Sequence, residues 1–325
     1  MLSNRANAIC LLRVLHGFSD EKHILPMREI IAKLKQDYDI EIDRRTIYST
    51  IEMLQHLGYD ISTYEENSAG YYLRSRIVEP SELNLLMDAV YSFPFISAKQ
   101  STELIAKLKN IGSIYQGRKY RNLSVVRADH KTSNKQVFLN IDLLDEAIEQ
   151  KKQVSFTYLT YNEKKQLVPR RTEPYIVNPF RMIYTNEHYY LVCNLSGYEK
   201  VSLYRIDRMR DISILDSKAV YKAREAEKAT QNAVYAFTGA PEKITFAFDK
   251  TVLNDVLDRF GTDITITKEN DKDIARITAS PRGIKFWALQ YLPYVEVLEP
   301  VWLRDEIIES IQKNRYLTSR LSDHE

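Results

Sequence analysis

The chain has 325 residues, of which 44% are hydrophobic and 28% charged, and its net charge is only +2. This length predicts two or three domains, and the composition excludes a disordered, collagen-like or histone-like chain. Its two cysteines lack metal-ligand spacing, so neither a disulfide framework nor a zinc site is expected. The sequence shows no signal peptide or long apolar segment, which predicts a cytoplasmic protein without a membrane partner.

The small net charge hides blocks of opposite sign. Residues 1–78 have a balance of −1, residues 99–136 and 151–224 each have +7, and the intervening and final stretches are acidic. Such segregation predicts domains with different partners. We expect four segments, at residues 1–78, 79–136, 137–217 and 218–325.

The first segment is predicted to form three helices and a hairpin. Apolar residues recur at helical spacing over residues 5–18, and a second helix is predicted from Pro26 to Tyr38. Asp43 can cap a third helix over residues 44–57. Two short strands around a polar turn at residues 66–70 complete the order that is typical of a winged helix-turn-helix.

The third predicted helix has two distinct faces. Its apolar face consists of Ile47, Ile51 and Leu54. Its polar face offers side chains that contact DNA phosphates and base edges in such modules, namely Arg44, Arg45, Thr46, Tyr48 and Ser49. The alternative is a three-helix core with a solvated charged face.

The segment from Ile42 to Gly58, IDRRTIYSTIEMLQHLG, resembles the recognition helix of DeoR-type winged helix-turn-helix repressors. This resemblance implies binding to double-stranded operator DNA. The wing departs from a basic wing because its tip carries Glu65 and Glu66 and no Lys or Arg. We therefore expect the wing to contribute little to DNA affinity.

Two further helices are predicted over residues 81–91 and 97–111, separated by Phe93-Pro94-Phe95. Their apolar faces can pack on neighbouring elements or form a dimer contact, and both alternatives stay open. The basic stretch at residues 112–134 is the predicted interdomain boundary.

The third segment is predicted to begin with an acidic helix at residues 141–149. Short strands without interleaved helices follow, and they favour a small antiparallel barrel. The predicted strands lie at residues 154–161, 172–177, 180–185, 189–194 and 201–205.

Several motifs in this segment resemble those of the WYL domain, an Sm-like or SH3-like β-barrel sensor of bacterial transcription regulators. They are Arg170-Arg171-Thr172-Glu173-Pro174, Asn178-Pro179-Phe180-Arg181, Tyr189-Tyr190-Leu191 in place of Trp-Tyr-Leu, and Tyr204-Arg205-Ile206-Asp207-Arg208-Met209. The resemblance implies an anionic effector, such as a nucleotide or a single-stranded nucleic acid.

Arginine and tyrosine suit such an effector, because guanidinium groups match phosphate oxygens and tyrosine rings stack on bases. The predicted effector-binding residues are Arg170, Arg181, Arg205 and Arg208 for phosphate, with Tyr158, Tyr189 and Tyr204 framing the site. Because strand neighbours point to opposite faces, only one of Tyr189 and Tyr190 can face the ligand. The alternative for Arg205 or Arg208 is a structural ion pair with Asp207 or Glu173.

The last segment is predicted to follow a βαββαβ order with one added helix, which is typical of a ferredoxin-like fold. A polar helix-like linker, residues 218–235, precedes it. The strings at residues 286–291 and 295–300 resemble the C-terminal extension that follows WYL domains. Trp287 is a predicted core residue. The resemblance implies that this extension closes over the effector, which makes Arg282 and Lys285 candidates for effector contact.

The fold class predicted is therefore α+β multidomain: winged helix-turn-helix, helical connector, Sm/SH3-like barrel and ferredoxin-like extension. No nucleophile with a base is evident, so we expect no enzyme and no cofactor, although a phosphoester-cleaving barrel is an alternative. The sequence predicts a homodimeric bacterial transcription regulator. The competing hypothesis is a single-strand DNA- or RNA-binding accessory protein that uses the barrel as its main site.

Overall fold

The computed structural model describes residues 4–74, 76–118, 131–220, 240–269 and 271–316. The chain divides into two compact units, Met1–Lys135 and Gln136–Glu325. The predicted linker helix falls mostly outside the described residues. A membrane-spanning helix is not found in the part of the chain that the structure describes.

The first unit begins with three helices, α1 to α3, at Asn4–Phe18, Met27–Tyr38 and Arg44–His56. All three predicted helices are confirmed, although Pro26 is the N-cap of α2 and not its first residue. Asp43 caps α3 as predicted, because its side chain accepts a hydrogen bond from the Thr46 amide. The predicted apolar face of α3 is buried: Ile47, Ile51 and Leu54.

The predicted hairpin is present as a short antiparallel pair, β1 at Ile61–Ser62 and β2 at Tyr72–Leu73. The loop between them is not a simple polar turn, because it contains a one-turn helix, α4, at Tyr64–Asn67. A capping box between Thr63 and Glu66 stabilises this turn.

Helices α5 to α7 follow at Pro80–Ser92, Ala98–Lys109 and Ile114–Arg118. The first two confirm the predicted connector helices, and α7 lies in the stretch predicted to be a boundary. The faces of α5 and α6 that pack together contain the buried residues Leu83, Met87, Val90, Ser101 and Ile105.

The second unit opens with α8 at Val137–Glu149, which begins four residues before its predicted start. Six strands follow, β3 to β8, at Lys152–Tyr161, Leu167–Pro169, Tyr175–Thr185, His188–Leu195, Val201–Arg205 and Met209–Lys218. The two strands predicted around Asn178 and Pro179 are one strand, β5, because a bulge at Pro179–Arg181 keeps the pairing with β6.

These strands form an antiparallel sheet in the order β4-β3-β5-β6-β7, and β8 pairs with β3. The sheet curls into a half-barrel, and α8 packs against it. Asn140 of α8 joins the two by donating to the carbonyls of Ile206 and Met209. The half-barrel core contains four aromatic rings in mutual contact, those of Phe156, Tyr158, Tyr175 and Tyr204.

The remaining elements show the predicted βαββαβ order. Strands β9 to β12 lie at Glu242–Phe248, Thr265–Glu269, Lys272–Ala279 and Val295–Glu299. Helices α9 to α11 lie at Leu253–Phe260, Pro281–Gln290 and Val301–Gln312. The four strands are antiparallel in the order β10-β11-β9-β12, and Trp287 is buried in the core as predicted.

Candidate functional site

Helix α3 exposes the polar face that the sequence predicts for DNA contact. Arg44, Arg45, Tyr48 and Ser49 are exposed, and Thr46 is half-buried. Neither arginine forms an ion pair with any residue that the structure describes. Thr46 is already engaged in the cap, because its amide and hydroxyl donate to Asp43 at 3.0 and 2.8 Å. The two arginines are therefore the free cations at the amino end of this helix.

The wing is acidic in three dimensions as well as in sequence. The Arg74 guanidinium donates to Asp60 at 2.9 Å and to Glu66 at 2.6 Å. One cation thus meets two carboxylates, and the exposed Glu65 adds a third. This arrangement supports the prediction of a weak wing contribution to DNA affinity.

A polar cluster joins the three-helix head to the connector, and we call it the head–connector junction: Asp20, His23, Ser113 and Tyr115. The Asp20 carboxylate contacts the His23 ring at 2.7 Å and accepts a hydrogen bond from the Ser113 hydroxyl at 3.0 Å. The His23 ring stacks on Tyr115 with centroids 3.5 Å apart. These contacts fix the head against α7 within the first unit.

Two basic side chains lie beside the head–connector junction. Arg76 donates to the Ser19 carbonyl at 2.6 Å. His16 has a lowered pKa, chiefly because it is partly buried and also because Arg76 repels its charged form. The imidazole is therefore mainly neutral at pH 7.

In the half-barrel, Arg205 and the buried Asp207 form a bidentate ion pair. Arg205 Nε donates to Asp207 Oδ1 at 3.0 Å, and its Nη2 donates to Oδ2 at 2.7 Å. The structural pairing that the sequence left open is therefore present for Arg205. The Arg205 side chain is 23% exposed.

Arg208 lies near this pair and has a different environment. Its guanidinium carbon lies 5.5 Å from the centroid of the Tyr161 ring, within cation–π range. The Tyr161 ring is largely exposed. Arg208 and Tyr161 together offer a cation and an aromatic face on one surface.

Two further residues lie with these arginines: His188, which the sequence analysis does not assign, and Tyr190, which it leaves as the alternative to Tyr189. Tyr190 pairs with Arg205 across strands β6 and β7, and the His188 ring lies 6.4 Å from the Tyr190 ring. Burial raises the pKa of Tyr190, and the charges of Arg205 and Arg208 oppose that shift. The alternation of side chains along β6 is the signal that links these two residues, because residues 188 and 190 share a face. We define the His188 cluster as His188, Tyr190, Arg205, Asp207 and Arg208.

Three predicted aromatic residues occupy other positions. Tyr158 and Tyr204 are buried in the half-barrel core, so their rings are not available to frame a surface site. The Tyr158 hydroxyl accepts a weak hydrogen bond from the Arg205 amide at 3.3 Å. Tyr189 packs partly against the core and contacts Tyr184, which leaves Tyr190 on the face of Arg205.

The other two predicted arginines do not join the His188 cluster in any contact the structure shows. Arg170 is exposed. Burial raises the pKa of Tyr204 to about 12, and the charges of Arg170 and Arg171 oppose that shift. Arg181 follows the bulge of β5, and its buried Nε has no hydrogen-bond partner among the described residues. In the C-terminal part, Lys285 pairs with Glu306 at 3.1 Å and Arg282 is exposed.

Comparison with known proteins identifies two domains in the second unit. Residues 140–214 match the WYL domain, and residues 240–313 match the WCX domain. The chain is 21% identical over 301 residues to the uncharacterized HTH-type transcriptional regulator YobV of Bacillus subtilis (strain 168). That overlap covers 86% of this chain and 90% of the relative.

Two solved structures are also similar. Proteasome accessory factor B/C (PafBC) of Arthrobacter aurescens is 20% identical, covers 95% of this chain and has a TM-score of 0.26. The chain spans 46% of that protein's length. A CRISPR Cas-related protein is 13% identical, with coverage of 89% and 78% and a TM-score of 0.36.

A helical amino-terminal unit followed by a curled antiparallel sheet defines a multidomain α+β protein with a WYL domain. The chain contains a WYL domain and a WCX domain and is similar over most of its length to an HTH-type transcriptional regulator, and these findings support a WYL domain transcriptional regulator.

Proposed function

We propose that the chain binds double-stranded operator DNA through α3 and senses an anionic effector through the His188 cluster. In this proposal the head is a DeoR-type winged helix-turn-helix, the half-barrel is Sm/SH3-like and the C-terminal part is ferredoxin-like. The strand order β10-β11-β9-β12 supports the last assignment. We place the domain limits at residues 1–78, 79–136, 137–217 and 218–325.

The exposed amino end of α3 is the observation that supports DNA binding. Arg44 and Arg45 follow the Asp43 cap directly, and neither is neutralised by a carboxylate in the part of the chain that is described. In a winged helix-turn-helix, this end of the recognition helix enters the major groove. Arg45 then contacts phosphate, with Tyr48 and Ser49 one turn further along.

The effector-binding half depends on the surface of the His188 cluster. Arg205 and Arg208 supply two guanidinium groups, and the exposed Tyr161 ring beside Arg208 can stack on a base. The bidentate pair with Asp207 orients Arg205, so its remaining N–H groups have a defined direction. Phosphate together with a base is the ligand class that fits this surface. In this proposal, Arg170 and Arg181 also contact the effector, outside the His188 cluster.

We further propose that the regulator acts as a homodimer. Leu85 and Leu86 of α5 are 70% and 45% exposed, and together they form an apolar patch on the connector. A two-fold contact there would hold two heads for two half-sites of an operator. Sedimentation of the wild-type chain and of Leu85→Glu tests this contact. The same mass for both proteins would exclude this patch as the dimer interface.

The competing function is that of a single-strand DNA- or RNA-binding accessory protein. It is favoured by the charge distribution, because residues 151–224 carry +7 while residues 1–78 carry −1. Gel shifts of the full chain on duplex DNA from the protein's own promoter region and on its separated strands distinguish the two. Arg44→Ala/Arg45→Ala abolishes the duplex shift if α3 reads DNA, and leaves every shift intact under the competing function.

A further inference from the structure

His188 begins β6 and presents a defined tautomer. Its Nδ1 lies 2.7 Å from the Asn186 carbonyl, which only accepts hydrogen bonds. Nδ1 therefore carries the ring proton, and Nε2 of the neutral ring is left without one. On protonation, Nε2 becomes a second donor.

The groups around His188 act in opposite directions on its protonation. Burial lowers the pKa of His188 most, the Asn186 hydrogen bond and Asp207 raise it, and Arg205 and Arg208 lower it. Tyr190 lies on the same strand face, and burial keeps its phenol neutral at pH 7. Glu187, the exposed neighbour of His188 in the turn, contributes to the raised pKa of Tyr184 of β5. The free protein thus holds a neutral imidazole beside two guanidinium groups.

We propose that His188 is a further anion contact of the half-barrel and that an anion bound there takes up one proton on His188 Nε2. This inference rests on the proposed effector site. A phosphate in front of Arg205 and Arg208 screens their repulsion of the imidazolium and adds an attraction of its own. The protonated ring then donates from Nε2 to a phosphate oxygen while Nδ1 still donates to Asn186.

Linkage gives the sign of the expected pH dependence. His188 has a lower pKa in the ligand-free protein than in the complex. Between these two pKa values the complex holds more protons than the free protein, so affinity falls as the pH rises through that window. One linked proton changes Kd by at most about tenfold per pH unit. A structural histidine that never meets the ligand has no such slope.

The test uses the full chain and pentathymidylate without terminal phosphates, because its phosphodiesters do not titrate between pH 6 and 8. Calorimetry in two buffers of different ionisation enthalpy measures proton uptake, and anisotropy measures Kd at each pH. Wild type takes up close to one proton and binds several-fold more weakly at pH 8 than at pH 6. His188→Gln takes up none and has a flat profile, while His56→Gln, an exposed histidine on α3, keeps the wild-type slope.

A second readout does not depend on a variant. In the wild-type chain, the NMR titration of the His188 ring shifts to a higher pKa when pentathymidylate is bound. If the oligonucleotide fails to bind at every pH, the proposed effector site itself is wrong. If it binds but His188→Gln keeps the wild-type slope, or the His188 titration is unmoved by binding, the site stands and the proton-linked contact is wrong.

Discussion

Arg205 holds Asp207 through two hydrogen bonds of 3.0 and 2.7 Å, and the Asp207 side chain is only 3% exposed. A buried carboxylate without its guanidinium is costly, so Arg205 stabilises the half-barrel as well as contributing charge to its surface. Arg208 has no such carboxylate contact in the described residues, and its positive charge is directed to the Tyr161 ring.

This difference predicts unlike outcomes for the two arginines. Arg205→Ala lowers the free energy of unfolding by about 2 kcal/mol, because Asp207 loses its bidentate partner. Arg208→Ala leaves stability within about 0.5 kcal/mol but weakens pentathymidylate binding. Urea titration and anisotropy separate the effects, with Lys164→Ala, an exposed lysine of the same half-barrel, as the control. Equal destabilisation by both variants would contradict the assignment.

Arg45→Ala is expected to weaken binding to promoter duplex DNA roughly tenfold at low salt. If Arg45 contacts phosphate, the slope of log affinity against log salt also falls by about one. The matched control is Lys107→Ala, an exposed lysine of α6. Identical isotherms for wild type and Arg45→Ala across the salt series would remove Arg45 from the DNA interface.

The head–connector junction is expected to stabilise the position of the head. Asp20→Ala removes the contacts with both His23 and Ser113 and should cost about 2 kcal/mol, whereas Ser113→Ala removes one contact and should cost about 1 kcal/mol. Hydrogen exchange of α7 measures the local effect. Unchanged protection in Asp20→Ala would show that the junction does not stabilise this region.

Stability should fall as the pH drops below about 6.5, the ordinary pKa of histidine. His16 and His188 both have lowered pKa values in the folded chain, each chiefly because of burial. Below pH 6.5 the unfolded chain therefore binds more protons than the folded chain, and folding becomes less favourable. Urea midpoints at pH 7.5 and 5.5 should differ less in His16→Gln/His188→Gln than in wild type. The same loss in both proteins would show that other groups control this range.

Local patterns predict the longer helices and the C-terminal element order, but they miss strands β4 and β8 and the short helices α4 and α7. The spacing of Ile47, Ile51 and Leu54 and the Asp43 cap were sufficient for α3, because both signals lie within one element. The Thr63–Glu66 capping box was an available signal for α4 that the hairpin prediction overlooked.

The candidate site depended on information that local patterns lack. Alternation shows that Tyr189 and Tyr190 face opposite ways, but only the curled sheet decides that Tyr189 packs on the core. The suitability of aromatic rings for base stacking favours Tyr158 and Tyr204 as residues that frame the site, yet the same rings fill the half-barrel interior. The β5 bulge, which joins two predicted strands, forms only through pairing with β6.

The affinity of the full chain for duplex promoter DNA, measured with and without saturating pentathymidylate, tests the central proposal most directly. We expect the oligonucleotide to change duplex affinity at least fivefold in wild type, because coupling between two sites requires a differential binding free energy. Arg208→Ala should lose that change and still bind the duplex. An oligonucleotide that binds the protein but leaves the duplex affinity unaltered would contradict effector-controlled DNA binding.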